Sequence, residues 1–300
     1  MRYGLLVCAI FAVSFLFSGG AAWGEAKARE FTVGSGREAT VWAIADSTGD
    51  RDMSVFAGAD PGALKQYAPS GSSPSAIMAF LVRTGGETIL IDAGLGEPSG
   101  ARASQLPEAL SQIGVDPGDV TLVLITHMHG DHIGGLLRDG QRAFPSARVL
   151  SSRVERDFWL GGDSAARFPN RASGFEMARR ALGAYSGAEE SFEFDTVVAP
   201  GVRALDARGH TPGHTAFLLE CGGERLLFWG DLAHAAALQF PRPDINASYD
   251  MNPGEAAAVR ARFMEMAAAE KLPIAGSHLP FPGVGDVEKT APGSYLYHSR

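Results

Sequence analysis

A cluster of metal-binding residue types directly follows a buried apolar stretch near the middle of the chain. Residues 122–125 read Leu-Val-Leu-Ile, which predicts a buried strand. Four side chains that can bind a metal then lie within six residues, namely His127, His129, Asp131 and His132. A buried carboxylate without a partner is costly, and three protonated imidazoles this close together would repel one another. A divalent cation removes both problems because it binds neutral imidazole and ionised carboxylate. The stretch therefore predicts a metal site rather than an ordinary polar turn.

The spacing of these four residues indicates two metal ions. His127 and His129 are separated by one residue, so an extended backbone lets both reach one ion from the end of the strand. Gly130 permits a sharp turn after them. Asp131 and His132 then begin a short helical turn, and they point to a different spot. Two pairs of ligands predict two ions.

The chain resembles the metallo-β-lactamase superfamily at this stretch. The superfamily motif HxHxDH is matched by His127-Met-His-Gly-Asp-His132. The resemblance implies an α+β fold, a four-layer αββα sandwich in which two mixed β-sheets are flanked by helices and the metal site lies at one edge. It extends over most of residues 25–300, which we interpret as a single hydrolase domain.

Three further candidate ligands, His210, Asp231 and His278, lie where predicted strands end. Each matches a ligand position of the superfamily: the first histidine of a Gly-His-Thr-Pro-Gly-His segment, the aspartate after the next hairpin, and the histidine after the last strand. The resemblance implies a first ligand set of His127, His129 and His210, a second ligand set of Asp131, His132 and His278, and Asp231 as the bridge between them.

This ligand chemistry predicts a metal-dependent hydrolase. Imidazole and carboxylate ligands suit Zn²⁺ first, with Mn²⁺, Fe²⁺ or Co²⁺ as alternatives. Two such ions would activate a bridging hydroxide for attack on a carbonyl or phosphoryl centre. Asp131 and Asp231 are the candidate catalytic residues, because Asp131 could orient the hydroxide or carry its proton and Asp231 would hold the two ions together.

Five other residues are candidates for supporting the ligands or contacting substrate. Asp92 follows a predicted strand; the resemblance implies that it orients a ligating imidazole, although it could equally cap a turn. His214 is the later histidine of its segment, so the resemblance gives it a supporting role only. His234 could support a ligand, contact substrate or be a surface histidine. Phe158 and Trp159 either form an aromatic, uncharged wall of the substrate pocket or pack in the core.

Periodicity and turn residues predict an alternation of strands and helices around these positions. The predicted strands are residues 40–45, 76–83, 87–92, 122–125, 147–151, 202–207, 215–220, 225–229 and 273–275. The predicted helices are residues 104–113, 153–160, 174–184 and 253–270. Residues 46–74 show no sustained period and predict a long irregular segment, which either lines a substrate pocket or covers the sheet.

The first 24 residues have the composition of a secretory signal peptide. Arg2 precedes an apolar run over residues 5–17, and small residues fill most of 18–24. The run is short for a membrane span, and an N-terminal membrane anchor is the alternative. We therefore expect a periplasmic or secreted protein without stable membrane insertion after cleavage.

The charge of the chain disfavours nucleic acid as a partner. Its formal net charge is −8, and removal of residues 1–24 would take away only Arg2 among the charged residues, which gives −9. Binding to phosphate backbones relies on clustered Lys and Arg. Cys221 would be the only cysteine left, so an internal disulfide is excluded for the processed chain. The expected partner is a small-molecule substrate, and a homodimer is one option for the assembly.

Several branches of the superfamily fit the sequence less well than others. True β-lactamases of the superfamily lack a bridging aspartate, which disfavours that activity for a chain with Asp231. The glyoxalase II branch usually adds a C-terminal helical domain, whereas only 22 residues follow His278. Nucleic-acid-processing branches carry long insertions and basic surfaces, which are absent from this sequence.

The nearest resemblance is to the secreted methyl parathion hydrolase group and its lactone-cleaving relatives. It rests on residues 157–160, 230–234, 239–241 and 278–285. The sequence therefore predicts a secreted binuclear hydrolase acting on an ester, lactone or phosphotriester of a neutral, partly apolar substrate. The alternatives are an iron-dependent oxygenase of the persulfide dioxygenase type, a glyoxalase II-like thioester hydrolase, and a metal-binding module without catalysis.

Overall fold

The computed structural model describes residues 27–36, 38–56, 58–96 and 104–300. The predicted signal peptide, residues 1–24, lies outside the described residues. Within the described ranges, no helix has both the length and the apolar composition needed to cross a membrane.

Strands make up the centre of the described part of the chain. In chain order they are β1 Lys27–Val33, β2 Ala39–Asp52, β3 Ser72–Thr84, β4 Glu87–Ile91, β5 Leu122–Leu124, β6 Leu137–Arg138, β7 Gln141–Arg142, β8 Arg148–Ser152, β9 Glu189–Phe192, β10 Val197–Ala199, β11 Val202–Asp206, β12 Thr215–Cys221, β13 Glu224–Phe228, β14 Ile274–Ala275, β15 Val284–Ala291 and β16 Ser294–Ser299.

The helices connect and flank these strands. They are α1 Pro61–Tyr67, α2 Leu106–Gln112, α3 Gly130–Ile133, α4 Arg153–Leu160, α5 Gly162–Arg167, α6 Ala172–Ala184, α7 Ala236–Gln239 and α8 Pro253–Glu270. Helix α8 is capped at its N-terminus, because the Asn252 side chain accepts a hydrogen bond from the backbone N–H of Glu255 and Pro253 occupies the first helical position.

The strands form two seven-stranded mixed sheets and one small hairpin. The first sheet has the order β1-β2-β3-β4-β5-β8-β9, and the second has the order β10-β11-β12-β13-β14-β15-β16. Pairing in the first sheet is antiparallel from β1 to β4 and parallel from β4 to β9. In the second sheet only β13 and β14 pair in parallel. Strands β6 and β7 form the separate hairpin.

Side-chain alternation along the strands explains the layers. Val41 and Ala43 of β2 point into the core between the two sheets, whereas Ile44 points to the opposite face, where helices pack. On the outer face of the second sheet, Phe263 and Met264 of α8 join the strand residues in another apolar cluster. The order of layers is helix, sheet, sheet, helix, which confirms the predicted four-layer αββα sandwich.

The prediction of a long irregular segment over residues 46–74 is wrong. Strand β2 continues to Asp52, a short 3-10 helix covers Met53–Phe56, α1 follows, and β3 begins at Ser72. The β2–β3 ladder runs from Ala39 opposite Thr84 to Asp52 opposite Ser72. Pairing with a distant partner therefore keeps a polar, glycine-containing stretch extended, against its local preference.

The sequence also missed strands at the sheet edges. Strands β1, β9, β15 and β16 were not predicted, because each alternates weakly or carries mostly polar side chains. Strand β10 was not predicted because its apolar run is only three residues long. The last two form a hairpin whose Val287 and Tyr295 are buried in the cluster under α8. The 22 residues after His278 thus complete the second sheet.

Candidate metal centre

The seven predicted ligands converge at one edge of the sandwich, where strands of both sheets end. His127 lies three residues after β5, and Asp231 and His278 each lie three residues after β13 and β14. His210 follows β11 by four residues. Six of the seven side chains are buried, and His129 is half-buried.

The first ligand set and Asp231 bring four potential ligand atoms together. His129 Nδ1 lies 3.1 Å from His127 Nε2 and 3.0 Å from His210 Nε2. Asp231 Oδ2 lies 3.6 Å from His127 Nε2 and 3.3 Å from His210 Nε2. A tetrahedral zinc ion with Zn–N bonds of about 2.0–2.1 Å spaces its ligand atoms by roughly 3.3 Å, so this grouping suits one ion.

The second ligand set forms an adjoining group that shares Asp231 with the first. Asp131 Oδ2 lies 3.4 Å from His278 Nε2 and 3.9 Å from His132 Nε2. Asp231 Oδ1 lies 3.2 Å from His132 Nε2, and Asp231 Oδ2 lies 3.1 Å from His278 Nε2. Asp231 is therefore the one predicted ligand whose carboxylate contacts members of both sets, as expected of a bridge.

The hydrogen bonds of Asp92 fix the tautomers of two imidazoles. His132 Nδ1 donates to Asp92 Oδ2 at 2.7 Å, which leaves the lone pair of the neutral ring on Nε2. The Thr126 hydroxyl donates to the same carboxylate at 2.8 Å, so its oxygen is left to accept from His127 Nδ1 at 3.0 Å. Asp92 thus orients two imidazoles of the cluster rather than merely capping a turn.

Two more imidazoles are oriented in the same way. His210 Nδ1 donates to Asp250 Oδ1 at 2.7 Å, and His278 Nδ1 donates to the backbone oxygen of Ala76 at 2.9 Å. In the neutral tautomer, both rings direct the Nε2 lone pair towards Asp231. Asp250 was not predicted as part of the site.

Several of the converging atoms are buried hydrogen-bond acceptors without a partner. Among the described residues, Asp131 Oδ2, His132 Nε2 and Asp231 Oδ1 are buried and have no hydrogen-bond partner. Buried polar atoms of this kind are costly unless something satisfies them. Carboxylate oxygens and imidazole lone pairs can both bind a divalent cation. These ligand atoms therefore fit two metal ions.

The electrostatics of the cluster divide its imidazoles into two groups. Burial lowers the pKa of His127 and of His129 well below the usual value, so these two rings are neutral. Burial lowers the pKa of His210, but the hydrogen bonds with Asp231 and Asp250 outweigh it and raise the pKa to about 9. For His132 and His278 burial is again outweighed, chiefly by the charge of Asp231, and the pKa is raised. Burial would raise the pKa of Asp231, yet the surrounding imidazoles hold it well below its usual range. The carboxylates therefore attract cations, and metal ions would compete with protons for the imidazoles.

His214 lies beside the cluster with both ring nitrogens already occupied by backbone groups. Its Nδ1 donates to the oxygen of Ala207 at 3.0 Å, and its Nε2 accepts from the N–H of Asp231 at 3.0 Å. Burial lowers the pKa of His214 to about 3, which keeps the ring neutral. The structure thus places His214 under the backbone of Asp231, consistent with the supporting role implied by the resemblance.

His234 is fully buried, so the alternative of a surface histidine is wrong. Its Nε2 lies 3.0 Å from Asp231 Oδ2, and its ring stacks on His278 with centroids 5.0 Å apart. Together with Asp231 and His278 it forms a third group of atoms close enough to hold a metal ion. The Gln239 side-chain oxygen accepts from the N–H of His234 at 2.7 Å and steadies this turn.

The predicted aromatic wall is mostly part of the core. Trp159 is 1% exposed and packs against Phe158 and Phe175. Its ring lies edge-on to His129, with centroids 5.7 Å apart. Phe158 is half-buried among Trp159, Phe168 and Phe175. Trp159 therefore offers substrate little surface, and its contact with the site runs through His129.

Two cations, Arg51 and Arg171, lie beside the centre, and neither was among the predicted site residues. Arg51 Nη1 donates to the Tyr249 hydroxyl at 2.6 Å, and Arg171 Nη2 donates to the Tyr249 backbone oxygen at 3.2 Å. The Tyr249 ring lies 5.8 Å from the His210 ring and 4.7 Å from the His234 ring. No local sequence pattern identifies these three residues. Arg51 lies near the end of β2, in a stretch that was predicted to be irregular, and Arg171 and Tyr249 lie in segments that connect helices.

Comparisons with known proteins support the fold and a metal-dependent hydrolase. The family model of the metallo-beta-lactamase superfamily matches residues 73–278, a range that contains all seven predicted ligands. The hydrolase AbOPH of the beta-lactamase superfamily is 30% identical in sequence, with 94% of this chain and 99% of that chain covered and a TM-score of 0.84. The dizinc quorum-quenching lactonase AidC, solved with a product, is 26% identical, with 92% and 98% covered and a TM-score of 0.83.

Curated relatives match over shorter stretches. An N-acyl homoserine lactonase of Bacillus sp is 24% identical over 166 residues, which are 48% of this chain and 58% of that protein. Metallo-beta-lactamase domain-containing protein 1 of Rattus norvegicus is 53% identical over 57 residues, or 19% and 20% of the two chains. The chain thus spans less than two thirds of the length of these relatives. The lactonase and hydrolase relatives support the prediction of a metal-dependent hydrolase, and the chain belongs to the metallo-β-lactamase superfamily.

Proposed function

We propose that the protein is a binuclear metal-dependent hydrolase that opens a lactone, with neutral, partly apolar esters and phosphotriesters as related substrates. The observation that carries the proposal is the convergence of both ligand sets on Asp231, with buried lone pairs facing one another. Zn²⁺ is the proposed metal, because the ligands are imidazole and carboxylate and the similar lactonase AidC is described as dizinc.

The residues of the chain have distinct parts in this proposal. Two bound divalent ions would supply Lewis acidity and a water of lowered pKa. The first ligand set and Asp231 would hold one ion, and the second ligand set and Asp231 would hold the other. Asp131 Oδ2 is buried without a hydrogen-bond partner and is placed to accept a proton within the site. Asp92 and Asp250 hold three imidazoles in the tautomer that the proposal needs.

The cations beside the centre favour a reaction in which a neutral substrate gains negative charge in the transition state. Arg51 contacts the hydroxyl of Tyr249 and Arg171 contacts its backbone oxygen. Arg171 and Tyr249 are half-buried next to the buried ligands. Opening a lactone converts a neutral ring into a carboxylate through a negatively charged transition state. Fixed positive charge stabilises that transition state more than the neutral ground state, which is the condition for catalysis.

The lactone proposal predicts an order of reactivity among substrates. With Zn²⁺-loaded protein, kcat/KM should be highest for an N-acyl homoserine lactone, lower for a nitrophenyl ester and a neutral phosphotriester, and lowest for the matching anionic phosphate. The same preparation stripped by a chelator is the control and should lose all these activities.

Each alternative function has its own outcome in the same assay. Preference for a glutathione thioester would favour a glyoxalase II-like hydrolase, and oxygen consumption with a persulfide in the iron-loaded protein would favour the dioxygenase. Metal binding without turnover of any substrate would favour a binding module. Preference for the anionic phosphate would contradict the neutral-substrate proposal.

We also propose export to the periplasm or the medium, on the basis of the composition of residues 1–24. Expressed in a Gram-negative host, the protein should be recovered from the periplasm with a new N-terminus following residue 22, 24 or 28, as read by N-terminal sequencing. A variant that lacks residues 2–24 should stay in the cytoplasm. Recovery in the membrane fraction with the first residues intact would instead indicate an anchor.

The proposed partner is a small molecule rather than a polymer. The net charge of −8 disfavours a nucleic-acid substrate through long-range repulsion. A homodimer is a further proposal for the assembly, and light scattering of the purified protein distinguishes it from a monomer.

A further inference from the structure

A fully buried carboxylate, Glu155 in the first turn of α4, joins the loops that carry the first ligand set. Its Oε1 accepts from the N–H of Met128 at 2.8 Å and from Trp159 Nε1 at 2.7 Å. Its Oε2 accepts from the Thr211 hydroxyl and from the N–H of Gly213, both at 2.8 Å. All four partners are donors, so they match an ionised carboxylate, which only accepts.

The two oxygens of Glu155 divide between the two loops. Met128 stands between His127 and His129, so Oε1 fixes the backbone that carries two imidazoles of the first ligand set. Thr211 directly follows His210, so Oε2 fixes the loop that carries the third. These loops come from different sheets, because the first follows β5 and the second follows β11.

Close packing around Gly213 supports the same link independently. A Cβ atom at Gly213 would lie 2.1 Å from the backbone nitrogen of Glu155 and 2.5 Å from its Cα, so only glycine allows this approach. The Ser152 hydroxyl, which caps α4, also donates to the Gly213 oxygen at 2.7 Å. The start of α4 therefore packs directly against the loop formed by residues 210–214.

We propose that Glu155 is a positioning residue that sets the spacing of the three imidazoles of the first ligand set and thereby tunes the affinity of that metal site. The inference rests on the proposed function as a binuclear metal enzyme. The second ligand set has other supports, since His132 is held by Asp92 and His278 by the backbone of Ala76. Loss of Glu155 should therefore weaken the first site selectively.

A second buried carboxylate offers a matched control. Asp46 is fully buried and accepts from the N–H of Leu95 at 2.7 Å, the N–H of Leu106 at 2.8 Å and the Ser104 hydroxyl at 2.5 Å. None of its donors is next to a predicted ligand in the sequence. Asp46→Asn likewise replaces a buried carboxylate with an amide. It should lower folding stability without weakening the metal affinity of one site more than that of the other.

The experiment is a metal titration of the full chain as wild type, Glu155→Gln and Asp46→Asn. Chelator-stripped protein is titrated with Zn²⁺ against a chromophoric chelator, and ¹¹³Cd NMR of the Cd²⁺ form separates the nitrogen-rich first site from the oxygen-richer second site. In Glu155→Gln the amide NH₂ faces two donors, so the first-site affinity should fall about 10–100-fold, as is typical when a residue that orients metal ligands is removed. The second site and both sites of Asp46→Asn should stay within about twofold of wild type.

The outcomes separate this inference from the proposed function. Equal weakening of both sites in Glu155→Gln, an unchanged first site, or the same loss in Asp46→Asn would overturn the positioning role. Wild type that binds fewer than two ions would overturn the binuclear proposal itself, and the titration needs no turnover to show it. If Glu155→Gln does not fold, Thr211→Val removes one hydrogen bond to Oε2 with little change in shape and should weaken the first site several-fold; no change would again overturn the inference.

Discussion

Replacing His127 with alanine is expected to abolish hydrolysis and to leave fewer than two metal ions per chain. His127 Nε2 lies 3.1 Å from His129 Nδ1 and 3.6 Å from Asp231 Oδ2, and its ring lies 4.0 Å from that of His132. Removing it opens the first ligand set and leaves buried carboxylates without compensation. We expect kcat/KM for the lactone to fall by about a thousandfold or more, on the scale of losing an essential catalytic group. Elemental analysis of protein purified without added metal gives the metal content of the same samples.

An exposed histidine provides the control for this substitution. His298 lies on β16 and pairs with Glu288 at the surface, with half of its side chain exposed. His298→Ala should keep two metal ions and full activity, because it removes an imidazole far in the sequence from every predicted ligand. A His127→Ala protein with wild-type metal content and activity would remove His127 from the proposed centre.

The metal centre was predictable because four of its candidate ligands are close together in the sequence. His127, His129, Asp131 and His132 lie within six residues, and few environments other than a metal site accommodate such a cluster after a buried strand. The remaining ligands follow predicted apolar strands, and the resemblance to the superfamily identified them among the polar residues at such strand ends. The structure brings all of these side chains together, although their assignment to metals remains a proposal.

The parts that the sequence did not reveal depend on contacts between distant residues. His210 and Asp250 are 40 positions apart, and nothing local distinguishes Asp250 from an ordinary loop aspartate. The same holds for Glu155, whose donors come from two other loops and from its own helix. A side chain that orients a metal-binding histidine needs only one acceptor atom in the right place. Many different segments of a chain can supply such an atom, so the sequence alone does not identify the one that does.

The errors in the fold have a related cause. Strand β2 extends through polar and glycine residues to Asp52 because β3 supplies a partner along its whole length. The edge hairpin of β15 and β16 likewise shows weak alternation, because much of it faces solvent. Strand formation at these places is decided by pairing and by burial of a few side chains such as Tyr295, and periodicity within one segment carries little of that information.

His210 and His214 lie in one Gly-His-Thr-Pro-Gly-His segment, and alanine at the two positions should give very different losses. His210 Nε2 faces His129 and Asp231 at 3.0 and 3.3 Å, so His210→Ala removes a proposed metal ligand and should cost orders of magnitude in kcat/KM.

His214 instead holds the backbone N–H of Asp231 at 3.0 Å and donates to Ala207. Its loss removes the partner of the Ala207 oxygen and leaves the buried N–H of Asp231 unpaired. The unpaired N–H alone costs about 1–3 kcal/mol, or very roughly 10–100-fold in activity if all of that cost weakens the bridge. His214→Gln can keep an acceptor and a donor in the same places, so it should recover part of the activity lost in His214→Ala, whereas His210→Gln should recover little. Kinetics and metal content of the four variants measured side by side provide the test. Equal losses at the two positions, or a larger loss at His214, would contradict the proposal that His210 is the metal ligand.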